Sequence, residues 1–161
     1  SETSKTFFDN DMINNIASAY VWKNVSSYQK LIEIRPDPGV ESDSDVFHFD
    51  DWRHRFKVFV YLEDITLDNA PLIYYIGTHK NGKWNSDKKF EYFKNGKKGT
   101  YGHYTPYEVD NMKKDFNLSA LPITGKAGTV ILFDARGIHS GTVLRKGQRL
   151  TLSSYIDVRG V

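Results

Sequence analysis

Val46-Phe47-His48-Phe49-Asp50 is the stretch on which the reading of this chain turns. It is short, aromatic and β-branched, the composition of a strand. Side chains alternate along a strand, so His48 and Asp50 point one way and Phe47 and Phe49 the other. Two residue rises separate the imidazole from the carboxylate by about 7 Å, which lets both converge on one metal ion. The two phenylalanines anchor the strand in the core. A second histidine, His139, lies far downstream between Gly137 and Gly141. Two imidazoles and one carboxylate suit non-haem Fe(II), because they fill one face of an octahedron and leave three positions open. A His-x-Asp pair alone is weak evidence; its weight comes from what surrounds it.

Outward from this stretch the pattern is of many short strands. Phe8, Met12, Ile16, Ala17 and Tyr20 recur at helical steps and predict a first helix with those residues on its buried face. Tyr28, Ile32 and Ile34 alternate with Gln29, Glu33 and Arg35, the pattern of a half-buried strand. Pro36-Asp37-Pro38-Gly39 ends it, and the acidic segment 41–45 reads as an exposed loop. Further strands are expected at 56–63, 71–76, 129–134, 137–144 and 148–157, with a hairpin turn around Arg145-Lys146-Gly147. Thr105-Pro106-Tyr107-Glu108 opens a helix through a capping box and runs to about Phe116. The lysine- and glycine-rich stretch from Gly77 to Gly102 reads as a long functional loop.

The whole chain has 161 residues, which predicts one domain over 1–161. With no cysteine, it has no disulfide, no thiolate nucleophile and no zinc–thiolate or iron–sulfur site. A balance of 22 basic against 20 acidic residues is a poor match for a dedicated nucleic-acid binder. No apolar run approaches the roughly 20 residues that span a bilayer, and the first residues are not a signal peptide. These features predict a soluble cytoplasmic protein that engages neither membrane nor nucleic acid; they leave the oligomeric state open.

Arg149 follows His139 by ten residues. If the hairpin centres on Lys146, His139 faces Ser153 and Arg149 faces Val143, so the histidine and the arginine share a face. Four residue rises, roughly 13 Å, then separate them. A dicarboxylate bound to the metal at one end fits that gap, because the guanidinium fork donates two parallel hydrogen bonds to a carboxylate.

His48-x-Asp50, distal His139 and Arg149 together resemble the phytanoyl-CoA dioxygenase-like branch of the Fe(II)- and 2-oxoglutarate-dependent oxygenases. Residues 68–80, from Asp68-Asn69 through Tyr74-Tyr75 to Gly77-Thr78-His79, resemble that family's passage from an Asn-Gly turn through a strand into Pro-Gly-Ser/Thr-His. Residues 128–134 before Gly137-Ile138-His139 fit as well. The resemblance covers roughly residues 28–155. Ala70-Pro71 replaces the usual Gly after the Asn, Ile76 replaces the usual Pro, and Gly141 stands where relatives often carry Ser or Thr.

The resemblance implies a mainly β fold, a double-stranded β-helix (jelly roll) with a short N-terminal helix and one helix in an insertion. It implies Fe(II) held by His48, Asp50 and His139, and 2-oxoglutarate with its distal carboxylate on Arg149. With O2 as oxidant, an unactivated C–H bond of a small organic substrate is hydroxylated, with release of succinate and CO2. Lys30, Tyr61, Ser153 and Thr142 are candidates for further 2-oxoglutarate contacts. Trp52, Trp84 and His103 are candidates for substrate contacts, and 77–104 for a lid. His54, His79 and Asp51 are not expected to bind metal. Two alternatives stay open: a cupin-like metal enzyme that does not use 2-oxoglutarate, and a non-catalytic jelly-roll binding module.

Overall fold

The computed structural model describes residues 7, 10–22, 25–35, 37–41, 45–80, 82–96 and 102–158. Helix α1 (Asp11–Val21) leads into β1 (Val25–Arg35), β2 (Phe47–His48), β3 (Arg55–Tyr61) and β4 (Leu72–Tyr75). Then come α2 (Lys83–Lys94), β5 (His103–Tyr104), α3 (Pro106–Phe116), β6 (Ala120–Ile123), β7 (Val130–Asp134), β8 (His139–Ser140) and β9 (Arg149–Val158). The strands form two sheets, ordered β1-β9-β3-β7 and β5-β2-β8-β4-β6, and every ladder is antiparallel. This is the jelly roll the sequence predicts. Among the described residues no helix is long and apolar enough to cross a membrane.

Three apolar clusters hold the layers together. Phe59, Tyr61, Ile131 and Phe133 of the first sheet meet Leu72 of the second between the sheets. Ile13 and Ala17 of α1 cover Val25, Phe56, Val58 and Ile156 on the outer face of the first sheet. Val109 and Met112 of α3 cover Phe49, Tyr75, Tyr104 and Ile138 beside the second. The capping box of α3 is present: the Glu108 backbone N–H donates to Thr105 Oγ1 at 3.2 Å, and Thr105 N–H donates to Glu108 Oε2 at 2.7 Å.

Several sequence expectations need correction. The buried stripe of α1 is Ile13 and Ala17, and Met12 is 66% exposed. A one-residue rotation of the helix puts the small Ala17 against the sheet and turns Met12 and Ile16 outward; Phe8 lies outside the described residues. On β1 the burial is inverted. Ile32 and Ile34 are 63% and 64% exposed, whereas Glu33 and Arg35 are turned inward and ion-paired. Asp45, expected in an exposed loop, has a side chain only 9% exposed, because it bonds Arg35 at 2.7 Å; residues 42–44 lie outside the described residues.

The stretch 77–102 contains helix α2 rather than only a loop, so the insertion carries two helices. Trp84 docks α2: its ring meets Phe116 edge-on at 5.1 Å and its Nε1–H donates to the Thr78 carbonyl at 3.0 Å. The hairpin around Lys146 does not form. β8 belongs to one sheet and β9 to the other, and residues 141–148 cross between them.

Candidate metal centre

His48 and His139 sit directly opposite each other on β2 and β8, with ring centroids 4.4 Å apart. His48 Nδ1 lies 2.6 Å from the Val46 carbonyl and His139 Nδ1 lies 2.8 Å from the Gly137 carbonyl. A carbonyl oxygen only accepts, so both rings carry their proton on Nδ1 and turn the Nε2 lone pair toward the same gap. Asp50 follows the end of β2. Its backbone N–H donates to the Ala135 carbonyl at 2.8 Å and that of Phe49 to the Gly102 carbonyl at 3.1 Å. Gly102 is required there, since its φ is +72° and a Cβ would strike the Phe49 carbonyl. At Gly137 a Cβ would meet the tip of the Tyr74 side chain, which would have to move.

The Asp50 oxygens lie 3.4 Å from His48 Nε2 and 3.7 Å from His139 Nε2. One ligand atom from each of the three residues falls within 4.8 Å of the others. His139 Nε2 is buried without a hydrogen-bond partner. Burial pushes the His139 imidazole down to about 3, against the pull of Asp50, so it is a neutral base at ordinary pH. Burial pushes Asp50 up, but its surroundings, the Lys57 ammonium among them, outweigh it and hold the carboxyl below its usual range. Two imidazoles with Nε2 toward one gap, one carboxylate and an unpartnered buried lone pair are a donor set that fits a divalent cation.

The three residues line one end of a cavity of about 450 Å³ between the sheets. Rows on the inner face of the first sheet define its length. Lys57 pairs with Tyr155, Phe59 with Ser153 and Tyr61 with Thr151 on β9, while Glu33 pairs with Thr151 and Arg35 with Arg149. Arg149 thus lies at the far end, with its guanidinium carbon 5.9 Å from the Phe59 ring centroid. Phe59, Leu72 and Leu31 line the middle. The histidine and the arginine do face one cavity, but from opposite sheets. Ser153 pairs with Leu31 and Phe59, not with His139.

Arg149 is 1% exposed. Its Nη1–H donates to the Ala70 carbonyl at 2.7 Å and its Nη2–H to Glu33 Oε2 at 2.6 Å, while Nε has no partner. Ala70 has φ +58°, the left-handed conformation that Gly adopts without strain. Burial pushes Glu33 up, but Arg149 and Arg35 outweigh it and lower it.

The other predicted residues divide. Ser153 and His103 line the cavity, and the His103 and His48 rings lie 5.7 Å apart. Tyr61 is fully buried; its hydroxyl donates to the Ile123 carbonyl at 2.6 Å and accepts from Leu72 N–H at 3.3 Å. Thr142 donates to the Pro71 carbonyl and lines a separate groove. Trp52 packs on Phe49 and on Tyr92 and Phe93 of α2, and Trp84 lies between α2 and α3. Neither tryptophan lines the cavity, because each is spent on docking α2. Lys30 pairs with Ser154 through the backbone; its side chain lies outside the described residues.

Sequence reasoning passed over Glu33, Lys57 and Thr151. Lys57 Nζ lies 3.3 Å from Asp50 Oδ2 and 4.6 Å from the Tyr155 ring centroid. Thr151 is buried with its Oγ1 unpartnered, in the row beside Arg149. The alternation of β3 and β9 was the available signal: Lys57, Phe59 and Tyr61 share parity, as do Arg149, Thr151, Ser153 and Tyr155.

The fold has solved counterparts. The epimerase SnoN in complex with Fe3+, alpha ketoglutarate and nogalamycin RO matches with a TM-score of 0.67 at 15% identity, over 97% of this chain and 59% of that one. AviO1 from Streptomyces viridochromogenes Tue57 matches at 0.62 and 15% identity, over 95% and 60%. EctD from S. alaskensis with 2-oxoglutarate and 5-hydroxyectoine matches at 0.64 and 19% identity, over 90% and 48%. At these identities the likeness is one of fold alone. The chain spans about half to three fifths of the length of these proteins. No curated protein sequence matches it. The family model described as phytanoyl-CoA dioxygenase (PhyH) matches residues 1–145, nine tenths of the sequence, and the chain belongs to that family.

Proposed function

We propose that this chain is a non-haem Fe(II)- and 2-oxoglutarate-dependent oxygenase that hydroxylates a C–H bond of a small organic molecule. His48, Asp50 and His139 hold the iron, and Arg149 receives the distal carboxylate of 2-oxoglutarate. The observation that carries this reading is the pair of backbone-clamped imidazoles whose Nε2 atoms converge beside Asp50, one of them buried and unpartnered. Bound iron would supply the oxygen chemistry, with O2 as the oxidant and 2-oxoglutarate as the two-electron co-reductant that leaves as succinate and CO2. The chain's own part is positional. The carbonyls of Val46 and Gly137 fix the ring orientations, and the buried Phe59 and Leu72 keep the stretch between the two ends apolar. Arg149, which lines the far end and whose Nε has no partner among the described residues, is the group left for a carboxylate there. Cation, apolar middle and cation again is the pattern a five-carbon dicarboxylate matches.

On the same reading, residues 1–161 are one oxygenase domain, and His103, from the 77–104 segment, lines the cavity as a substrate contact. The direct test is aerobic incubation with Fe(II), ascorbate and 2-oxoglutarate, following succinate. Succinate above the metal-free control is expected, and its absence together with no 2-oxoglutarate binding contradicts the proposal. One observation favours a second reading, a metal enzyme that does not use 2-oxoglutarate: Glu33 already engages Arg149. On that reading 2-oxoglutarate does not bind the metal-loaded protein.

A further inference from the structure

We infer that Lys57 is a positioning residue that seats the metal-side carboxylate of the 2-oxo acid. The inference rests on the reading of His48, Asp50 and His139 as metal ligands. Lys57 projects from β3 into the metal end of the cavity with a side chain only 12% exposed. A nearly buried ammonium is costly unless it meets an anion or an aromatic face, and Lys57 meets both: Asp50 Oδ2 at 3.3 Å and the Tyr155 ring at 4.6 Å.

That pairing is balanced only while Asp50 is the sole strong charge nearby. With a dication on the same carboxylate and both imidazoles neutral, one negative charge faces an ammonium and a divalent ion. Positive charge is then in excess beside side chains only 10–12% exposed, where it is weakly screened. A carboxylate that ligates the metal beside Lys57 halves that excess and gives the ammonium a new acceptor. A neutral metal ligand such as water does not. Lys57 therefore disfavours the bare metal site and favours the metal site carrying an anion. Arg149 acts at the other end of the same molecule, so the two cations recognise different carboxylates.

Oxalate separates them, because it chelates a metal through adjacent carboxylates and has no distal one. Binding is measured by calorimetry on the full chain with Co(II), then with oxalate or 2-oxoglutarate on Co(II)-loaded protein. Lys57→Met is expected to bind Co(II) at least as tightly as wild type and to bind both oxalate and 2-oxoglutarate about tenfold more weakly. Arg149→Met is expected to weaken 2-oxoglutarate alone. Lys57→Arg, which keeps the charge, is expected to hold oxalate within about threefold of wild type. Lys57→Gln is the uncharged substitute if Lys57→Met does not fold, and the same losses are expected of it. A Lys57→Met protein that loses Co(II) affinity shows that the lysine merely holds Asp50 in place and overturns the inference. Unchanged oxalate affinity overturns it too. Wild-type protein that takes up no Co(II) overturns the metal reading itself, a result separable from any behaviour of the variants.

Discussion

The two ends of the cavity are built on opposite plans. At the metal end, two imidazoles are clamped from behind and their lone pairs face a gap, one of them without any partner. At the arginine end, the guanidinium is already engaged. Glu33 and the Ala70 carbonyl take two of its nitrogens, and Arg35 and Asp45 extend the network behind Glu33. One end is prearranged for a cation; the other carries a carboxylate of its own. Loading the first adds a ligand, whereas loading the second also asks Glu33 to share or yield its arginine.

The largest expected effects lie at the metal end. Asp50→Ala and His139→Ala each remove one of three ligands and are expected to weaken Fe(II) or Co(II) binding at least roughly a hundredfold, read by calorimetry. Uptake unchanged in either variant breaks the three-ligand assignment. Next is Arg149→Met, expected to weaken 2-oxoglutarate about ten- to a hundredfold while leaving Co(II) affinity within about twofold. Equal loss of both ligands would mean the arginine only holds the sheets in register.

Glu33→Gln has a smaller effect of unusual sign. It leaves Arg149 a neutral partner, so 2-oxoglutarate is expected to bind about threefold more tightly. Weaker binding would make Glu33 a support for Arg149 rather than a competitor. Smallest is the pH effect. The carboxyl of Glu33 is lowered in the folded chain, so its contribution is present above the ordinary carboxylate range and is lost as pH falls below it. The thermal midpoint of wild type is expected to exceed that of Glu33→Gln at pH 7, with the difference closing on acidification. A difference independent of pH would show that the charge of Glu33 is not what stabilises.

The contrast also explains what the sequence made legible. His48, Phe49 and Asp50 are local: strand alternation and the core preference of Phe49 place the ligands without knowledge of the rest. The jelly roll is likewise visible in the rhythm of short aromatic strands. The inverted faces of β1 were hidden because alternation reports two faces but not which is inside. Here the inside is a charged cavity, and Glu33 and Arg35 outweigh Ile32 and Ile34. Arg149 was assigned to the right cavity through a hairpin that does not exist. Parity is preserved when a strand crosses to the opposite sheet, and nothing local distinguishes a turn from a crossover at residues 141–148. Helix α2 was missed because lysines and glycines mask its anchors, Trp84 against Phe116 and Phe93 against Trp52. These contacts are far apart in sequence or depend on the fold being in place.

The central claim is that His48, Asp50 and His139 bind one divalent ion together. Crystals grown with Mn(II) and examined by anomalous scattering test it most directly. A single strong peak is predicted within bonding distance of both Nε2 atoms and an Asp50 carboxylate oxygen. The absence of a peak there, or a peak bound only elsewhere on the chain, would contradict the account.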